Sequence, residues 1–575
     1  MRFHYSTIFV LIALYCTACQ ADTITVTYNE GRQPAVNPAK VDGLKITVKN
    51  GTVKIKDQRT EPTSLTFVLK GKSTDGSFKL NTEAETRILL DGLQLTSQEG
   101  APLHLKNKQL ARVVAVDGTD NTLCVTACTD TAKQKAAVIW AKNKLLFSGK
   151  GTLNVVSQGN GCKGINGKDD ITIEGLTLQV QTLGDNLGVD TTSHMGFGGP
   201  APGFDPDSLP EDVKAQFSEM RKRFEKMMQN GEFPRMMQKG DSSAQRSQFP
   251  MMGGPGQGMR PDSIKQEGGF GGPPMEGGPG GKQKYLSTCK GIKAKGTITV
   301  NSGTVSVTTS SRGAEGMEGK QGITINGGEI YVHAVDDAIN SGGQIIFNGG
   351  HTCAISTSND AVDSNSGGFG MPPSFNSQLT NTDPSLTLPS MGGDTIRMAS
   401  PHRGGDVQRT EGVWGGSAGG SSAIVINGGE VLAWSQNGPP EEGLDCDFAP
   451  IQVSGGTVFS IGAGMGEMPS VPTTETAQQP TALLIGLGIE KDQPVSLYAA
   501  GKNGKPTGKP LFTYTVPFAF QSSASLISSP AFQVGKKYVV KSADKTYPLE
   551  LTEPFTVSRQ GKQSIPSFPW GKQDK

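Results

Sequence analysis

The chain has 575 residues, of which 54 are lysine or arginine, 53 are aspartate or glutamate and 77 are glycine. Its near-zero net charge excludes a protein that binds nucleic acid through a basic surface. Beyond the N-terminus no apolar run approaches the ~18 residues that a membrane-spanning helix needs. The body of the chain is therefore not expected to lie in a membrane.

The first residues predict export from a bacterial cell. Arg2 supplies a positive charge and residues 8–15 a short apolar segment, which are the two parts of a signal peptide. Small residues precede Cys19, as at the processing site of bacterial lipoproteins, so Cys19 is the predicted lipidation site. Ordinary cleavage after Ala21 is the alternative. We expect a protein of the cell envelope or cell surface, held at the membrane only through an N-terminal lipid.

One ten-residue pattern returns along the chain, with alternating apolar residues on each side of a Ser-Gly or Gly-Gly pair. Alternation on both sides of a glycine predicts two short strands joined at a corner. Most copies follow one another after 22 to 27 residues, and such a period is typical of a solenoid. The sequence therefore predicts an all-β fold, a parallel β-helix. The copies begin at Ile298, Ile323, Ile345, Ile424 and Ile451, with looser copies at Ile46, Leu145 and Ile171.

Two larger gaps separate neighbouring copies, 127 residues after Ile171 and 79 residues after Ile345. Both gaps are rich in glycine and proline, a composition that does not bury enough apolar surface to fold alone. In the first gap, residues 209–229 follow helical spacing. We therefore expect low-complexity insertions between coils of one solenoid.

A different pattern follows residue 480, where short apolar segments alternate with turn residues. They predict strands that cap the open end of the solenoid, at 481–485, 495–499, 511–516 and 537–541. The predicted organisation is a signal at 1–21, β-helix at 22–190, 285–365 and 422–479, insertions at 191–284 and 366–421, and a β cap at 480–575.

Six cysteines follow the signal, and in an exported chain they can pair. Cys162 and Cys289 have the same phase, each nine residues before a copy of the repeat. On neighbouring strands they would lie ~4.8 Å apart, so a disulfide and a ladder of reduced thiols are equally open. Cys124 and Cys128 predict a loop disulfide or free thiols rather than a zinc site, because no second ligand pair follows at suitable spacing.

Carboxylates collect in the turns that follow the second strand of several copies. They belong to Asp185, Asp336, Asp337, Asp360 and Asp363. Stacked coils would bring such side chains into a column, and calcium is bound by oxygen atoms of this kind. The sequence therefore predicts Ca²⁺ as a cofactor with these aspartates as its ligands. A salt-bridge ladder, or aspartate acting as a turn residue, is the alternative.

Catalytic signals are weak. Gly415-x-Ser417-x-Gly419 matches the letters of a nucleophile elbow, but it lies in a glycine- and serine-rich loop rather than between a strand and a helix. The clustered aspartates could act as paired carboxylates of a hydrolase, and Arg312 beside Asp337 could serve as the base of a lyase. We expect no catalytic activity, with a β-helix polysaccharide lyase or hydrolase as the alternative.

Several segments resemble the bacterial carbohydrate-binding domain-containing proteins, at residues 88–95, 101–105, 117–121, 163–165, 168–173 and 336–339. The resemblance covers about residues 60–190 and 285–465. It implies a right-handed parallel β-helix that binds cellulose or acidic plant polysaccharides and carries calcium. The acidic turns of the family fall on Asp185, Asp336, Asp337 and Asp360. Residues 311–313 and 437–439 stand where further acidic turns are expected, which predicts a short calcium column.

The predicted function is non-catalytic polysaccharide binding on a flat outer face of the solenoid, where polar and aromatic side chains such as Tyr331 meet a sugar chain. Tyr331 could equally be an ordinary exposed strand residue. A structural or adhesive surface protein is the second hypothesis, with a protein partner bound through the insertion at 196–280.

Overall fold

The computed structural model describes residues 23–128, 136–187, 287–365, 423–437, 441–446, 449–462 and 470–560. These residues all belong to one compact unit. They form strands and turns without a helix, which confirms the all-β class. Within the same ranges there is no helix of the length and hydrophobicity required to span a bilayer. The predicted signal, Cys19, the helix at 209–229 and both insertions lie outside the described residues.

The described residues form 38 strands, numbered here in chain order. Those before the first insertion are β1 Thr23–Tyr28, β2 Ala35–Asn37, β3 Leu44–Lys49, β4 Thr52–Asp57, β5 Leu65–Ser73, β6 Ser77–Thr82, β7 Thr86–Ser97, β8 Leu103–Asn107, β9 Ala111–Ala115, β10 Asp120–Val125, β11 Ala137–Ala141, β12 Leu145–Gly149, β13 Thr152–Ser157, β14 Lys163–Gly167, β15 Ile171–Ile173 and β16 Thr177–Thr182.

The next strands lie between and after the insertions. They are β17 Ile292–Ala294, β18 Thr297–Val300, β19 Thr304–Thr309, β20 Met317–Gly319, β21 Gly322–Ile325, β22 Glu329–Ala334, β23 Ile339–Ser341, β24 Ile345–Phe347, β25 His351–Ser356, β26 Val362–Ser364, β27 Ile424–Ile426, β28 Glu430–Ser435, β29 Leu444–Asp445, β30 Ile451–Val453 and β31 Thr457–Ile461. The C-terminal strands are β32 Thr481–Ile489, β33 Pro494–Ala500, β34 Pro506–Thr515, β35 Phe520–Ser528, β36 Lys537–Ser542, β37 Lys545–Glu550 and β38 Phe555–Arg559.

Most strands pair in parallel with the strand three places later in the chain. The first ladder joins β9, β12, β15, β18, β21, β24, β27 and β30. The second ladder joins β7, β10, β13, β16, β19, β22, β25, β28 and β31. Both belong to a 23-stranded sheet, while the third ladder, from β4 through β6, β8, β11, β14, β17, β20, β23 and β26 to β29, lies in an 11-stranded sheet.

The first residues of the repeat copies face each other across the first ladder. Ile171 pairs with Ile298 and Ile345 pairs with Ile424, so the strands on the two sides of each insertion are direct neighbours. The side chains at these four positions are fully buried. Apolar residues of all three ladders form one continuous core.

The copy predicted at Ile46 is wrong. Strand β3 does not join the first ladder but pairs antiparallel with β4, with Ile46 opposite Ile55. Asn50 and Gly51 both have positive φ angles in the connecting turn, and an Asn-Gly pair between alternating strands strongly favours a tight hairpin. The Asn-Gly pair was therefore the informative signal in this segment.

The last parallel strands are covered by C-terminal strands. The four segments predicted there fall in β32, β33, β34 and β36. Strand β35 pairs antiparallel with both β31 and β32. Strands β33, β34, β36 and β37 form a separate antiparallel sheet, the C-terminal sheet. Its Phe512 and Tyr514 pack against Phe459 of β31, in a cluster that also contains Leu432 and Trp434.

The structure supports neither of the two alternatives left open for Cys162 and Cys289. Strands β14 and β17 do pair so that Cys162 and Cys289 have the same register, but Cys162 forms a disulfide with Cys128. Cys289 is a buried free thiol, and Cys124 is also free. The register argument considered only neighbouring strands and left out the turn after β10, from which Cys128 reaches Cys162.

Candidate functional site

A row of uncharged polar side chains crosses six strands of the second ladder. It consists of residues at successive register positions on β7, β10, β13, β16, β19 and β22, namely Gln94, Thr122, Asn154, Gln179, Ser306 and Tyr331. We call this row the outer strip. All six side chains are exposed or half-buried, because alternate residues of each strand point away from the core.

A second row runs beside the outer strip, two residues further along each strand. Its members are Thr96, Cys124, Val156, Gln181, Thr308 and His333. Burial lowers the pKa of His333, which favours the neutral imidazole. The two rows therefore present amide, hydroxyl and aromatic groups without a formal charge, at a strand spacing of ~4.8 Å.

Tyr331 ends the outer strip. Its side chain is 43% exposed, and its ring meets that of His333 edge-on with centroids 6.4 Å apart. The following register positions are Cys353, Leu432 and Phe459. The last two are buried in the cluster beneath the C-terminal sheet. The strip thus passes from an open polar face to an aromatic end beside a covered apolar region.

Four of the predicted calcium ligands lie together: Asp336, Asp337 and Asp360 in the turns after β22 and β25, and Asp363 on β26. Asn359 Nδ2 donates hydrogen bonds to Asp336 Oδ1 at 2.9 Å and to Asp337 Oδ1 at 2.6 Å. Asn340 Nδ2 donates to Asp337 Oδ2 at 2.6 Å and to Asp363 Oδ2 at 2.9 Å. Asp360 accepts a hydrogen bond from the backbone N–H of Glu442, further along the chain. Asparagine amides therefore bridge the carboxylates of successive repeats.

The same acidic group continues into the next repeat through three residues that the sequence reasoning missed. Glu442 donates its backbone N–H to Asp360 Oδ1, and Asp445 pairs with Asp363 in the third ladder. Glu441 precedes them. We call Asp336, Asp337, Asp360, Asp363, Glu441, Glu442 and Asp445 the acidic ladder.

The missed residues correct the expectation that residues 437–439 replace the acidic turn. Ile355 pairs with Trp434 in the second ladder, whereas Val362 pairs with Leu444 in the third. The connecting turn is therefore three residues longer in the later coil, and its carboxylates follow at 441 and 442. Aligning Glu442-Gly-Leu-Asp445 with Asp360-Ala-Val-Asp363 would have found them.

Asp185 is not part of the acidic ladder. Its side chain is exposed, and its carbonyl oxygen accepts hydrogen bonds from Gly161 N–H and, at 3.2 Å, from the Cys289 thiol. The registers of β16, β19 and β22 place the turn around Arg312 between Asp185 and Asp337. Asn186 donates a hydrogen bond to the Arg312 carbonyl oxygen. The turn at Asp185 is therefore joined to the turn at Arg312 by Asn186 and not by the Asp185 side chain.

Burial changes the protonation of the acidic ladder. Desolvation and the charges of Asp336, Asp363 and Asp360 raise the pKa of Asp337 well above its ordinary value. Desolvation and the charge of Asp445 also raise the pKa of Asp360 and of Glu442, and they raise the pKa of Glu441 to about 7. The ladder therefore favours binding protons or another positive charge.

The ladder suits calcium in the type of its ligands but not in their arrangement. Carboxylate and amide oxygens are ligands that Ca²⁺ prefers. Across the described ranges, however, no three or more His, Cys, Asp or Glu side chains are grouped so that they could hold a metal ion. Oxygens of Asp336, Asp337 and Asp363 instead accept hydrogen bonds from Asn340 and Asn359.

Comparison with known proteins shows a class of proteins to which part of this chain is similar. A family model described as "Carbohydrate-binding domain-containing protein" matches residues 49–195 and 279–361, which include the outer strip. A protein of the same description from Acetivibrio thermocellus is 30% identical over 152 residues, which are 25% of this chain. The matched part spans 50% of that relative, so the similarity covers only half of its length. No solved structure matches the chain.

Proposed function

We propose that this protein binds polysaccharide without catalysing a reaction and that the outer strip is its binding surface. The observation that carries the proposal is the in-register row of uncharged amide and hydroxyl groups that ends at the exposed ring of Tyr331. Sugars offer many hydroxyl groups and apolar ring faces, which such a row can meet by hydrogen bonding and by contact with an aromatic ring. The similarity to carbohydrate-binding domain-containing proteins supports the same class of ligand.

The proposal includes the fold, a right-handed parallel β-helix. It is supported by the regular addition of one strand to each of three ladders with every coil. In a β-helix the outer strip would run along the long axis, and its six strands would extend over about 24 Å. A repeating ligand suits such a surface, because successive units would meet equivalent backbone positions.

Export, lipid attachment and calcium are further parts of the proposal. Signal-like residues before Cys19 support a lipid-anchored protein of the bacterial cell surface. Calcium is proposed as a counter-ion of the acidic ladder, and the raised pKa values of Asp337, Asp360 and Glu442 support it. An ion would require Asp337 to exchange a hydrogen bond from Asn340 or Asn359 for the cation.

The test is retention of the mature protein on insoluble cellulose and on polygalacturonate, each with Ca²⁺ and with a chelator. We expect retention on at least one polymer. Tyr331→Ala should weaken it about two- to tenfold, because an aromatic contact contributes roughly 0.5–1.5 kcal/mol. Tyr498→Ala, which removes a tyrosine from the C-terminal sheet instead, is the control.

Each arm decides a separate part of the proposal. No retention of the wild-type protein on either polymer would contradict polysaccharide binding. Equal retention of wild type and Tyr331→Ala would remove Tyr331 from the surface. Loss of retention with chelator would support calcium-dependent binding, whereas unchanged retention would leave the acidic ladder outside the binding reaction.

A further inference from the structure

A column of lysines follows the outer side of the third ladder. The backbone N–H groups of Lys142, Lys168 and Lys295 donate hydrogen bonds of 2.9–3.1 Å to carbonyl oxygens of the neighbouring strand, so these residues continue the ladder just past the strand ends. Each follows a buried residue in a strand that alternates, and its side chain therefore points away from the core. We call the following five residues, taken in ladder order, the lysine column: Lys56, Lys106, Lys142, Lys168 and Lys295.

The lysine column is nearly continuous. Lys106, Lys142, Lys168 and Lys295 occupy neighbouring strands, which are ~4.8 Å apart. Asn81 of β6 fills the one position between Lys56 and Lys106. Lys168 is half-buried and the other four are exposed. The column therefore crosses six strands, over about 24 Å.

Four further lysines widen the column into a face at its N-terminal end. Lys54 and Lys79 are neighbours on β4 and β6, and Lys45 of β3 lies opposite Lys56 in the hairpin. Lys49 stands at the end of β3. All four are exposed or half-buried and alternate with residues that face the core. We call these four lysines and the lysine column together the basic face.

The charges of the basic face are not offset within the protein. In the ranges that the structure describes, none of its lysines forms an ion pair, whereas Lys293 and Lys320 beside it both pair with Glu318. Like charges at opposed positions destabilise a sheet. Burial, together with the charges of Lys295 and Lys293, lowers the pKa of Lys168. The basic face therefore favours a partner that carries many negative charges.

The basic face lies at the end of the protein where the chain enters the fold. Strand β1 begins at Thr23, four residues after Cys19, and four residues span at most about 14 Å. Strands β1 and β4 stand at the N-terminal ends of the two parallel sheets, where they pair with β5 and β6. A lipid at Cys19 would therefore hold this end of the protein close to a bilayer.

We infer that the basic face docks on the anionic headgroups of a lipid bilayer. The inference rests on the lipid-anchored location included in the proposed function, and it adds a second contact with the membrane. Each lysine near an anionic bilayer contributes about 1 kcal/mol, which is a factor of about five in binding. A single polymer chain would follow one row of lysines, whereas headgroups cover a plane and meet both rows of the face.

The distribution of charge along the third ladder limits the contact to its N-terminal part. After β17 the outward positions carry Glu318 on β20, Asp363 on β26 and Asp445 on β29. An anionic surface would attract the strands up to β17 and repel those that follow. The outer strip lies on the second ladder, in the other sheet, so docking of the basic face would leave it free.

The experiment measures binding to vesicles without the contribution of a lipid anchor. The full mature chain from Gln20, made without lipid, is sedimented with vesicles of phosphatidylcholine alone or of phosphatidylcholine with about one third phosphatidylglycerol. We expect the partition coefficient on the anionic vesicles to be about tenfold larger or more at low ionic strength. High salt should abolish the difference, because it screens exposed charges.

A triple variant locates the effect on the basic face. The variant combines three changes at exposed positions of the lysine column: Lys106→Gln, Lys142→Gln and Lys295→Gln. It should weaken binding to anionic vesicles about a hundredfold, and its thermal midpoint should not fall, because like charges have been removed. The matched control removes three exposed lysines at and before β34, by Lys502→Gln, Lys505→Gln and Lys509→Gln. The control should bind as the wild type does.

The outcomes separate this inference from the proposed function. Equal binding of the wild type to neutral and anionic vesicles, or equal losses in the two triple variants, would overturn the docking surface. If the column variant lost retention on polygalacturonate as strongly as on vesicles, the face would be a general polyanion site and the lipid assignment would be wrong. Labelling of Cys19 with a fatty acid in bacteria tests the proposed anchor separately. Selective vesicle binding by the unlipidated chain would support the surface even if that label were absent.

Discussion

Asp337 shows which hydrogen bonds stabilise the acidic ladder and why ionisation of its carboxyl groups is unfavourable. Its side chain is only 4% exposed, and its two carboxylate oxygens accept hydrogen bonds from Asn340 and Asn359. Asparagine N–H groups are neutral, so they satisfy the hydrogen bonds of the carboxylate without offsetting its charge. The free energy of ionising Asp337 is therefore unfavourable in the folded state, and its pKa rises.

Because carboxyl groups of the acidic ladder have raised pKa values in the folded state, the free energy of unfolding should fall as the pH rises. A carboxyl group with a raised folded pKa binds a proton more tightly in the folded state than in the unfolded state. It stabilises the fold below its ordinary pKa and loses that contribution as the pH rises through the folded value. For Glu441 this window runs from 4.5 to about 7. In chelator, the thermal midpoint should be higher at pH 5 than at pH 8.

Asp337→Asn tests the origin of that slope. The amide keeps the shape of the side chain but removes the buried charge, so the midpoint at pH 8 should rise and its fall with pH should be shallower. A gain of about 1–2 kcal/mol in the free energy of unfolding is the expected size. Asp185→Asn, at an exposed position in an earlier coil, should change neither. A variant that is less stable than wild type at pH 8 would show that the ladder needs its negative charge.

Single residues were predicted unevenly from the sequence. Asp337 and Asp360 were selected because they follow the ends of two copies of the repeat by five and six residues, and Asp336 and Asp363 lie close to them in the sequence. Glu442 and Asp445 were missed because a longer turn displaced them, and a fixed spacing carries no information about turn length.

At the scale of the strand pair, the corners after β18, β21, β24 and β27 repeat the same contacts. The asparagines of these four corners are joined by three side-chain hydrogen bonds of 2.8–2.9 Å, which run from Asn427 through Asn348 and Asn326 to Asn301 as the last acceptor. A glycine with positive φ follows in each corner, as at Gly350, where φ is +79°. The asparagine and the glycine of each corner therefore favour the register in which equivalent corners lie next to each other.

Gly350→Ala should be strongly destabilising. A Cβ atom there would lie 2.5 Å from the carbonyl oxygen of Gly328 in the preceding coil, in addition to the strain of a positive φ. We expect a loss of about 2–3 kcal/mol in the free energy of unfolding. Gly504→Ala is the matched control, because Gly504 has a φ of +74° and no atom within 4 Å of the new Cβ.

Chemical denaturation of both variants separates the two causes. The control should lose only about 1 kcal/mol, from backbone strain alone. Equal losses in the two variants would mean that strain, and not contact with the preceding coil, makes glycine necessary at the corner.

Pairs of strands were easier to predict than local hairpins. The period of the repeat indicated which isoleucines face each other, and β15 does pair with β18 in the expected register. The same reasoning misplaced Ile46, because an Asn-Gly turn favours antiparallel pairing within a few residues over parallel pairing with a distant coil. The disulfide between Cys128 and Cys162 does not follow from the period of the repeat, since it depends on how a turn meets a neighbouring strand in three dimensions.

For the molecule as a whole, the last strands of the parallel ladders would favour aggregation if they were left uncovered. Strand β35 pairs with β31 and so covers the last edge of the second ladder. The C-terminal sheet covers the apolar outer face that contains Trp434 and Phe459. An unpaired strand edge beside an apolar face is a template for aggregation.

Deletion of residues 480–575 should therefore cause association of the remaining chain. It would expose both the edge of β31 and the apolar face of β28 and β31. Light scattering and size-exclusion chromatography are the measurements, with deletion of residues 561–575 alone as the control. A monodisperse protein after the larger deletion would show that the C-terminal strands are not needed to protect this end.

The placement of the insertions also sets an order for folding. Neighbouring strands such as β18 and β21 are joined through 25 residues, whereas β15 and β18 meet across 127. For a flexible unfolded chain the entropy of closing the longer loop costs about 1.4 kcal/mol more. The coils from Ile298 to Ser356 should therefore assemble among themselves first, and the N-terminal coils should dock onto them later. Changes in the length of the first insertion would alter the rate of that docking step while leaving the rate of pairing among the strands from Ile298 to Ser356 unchanged.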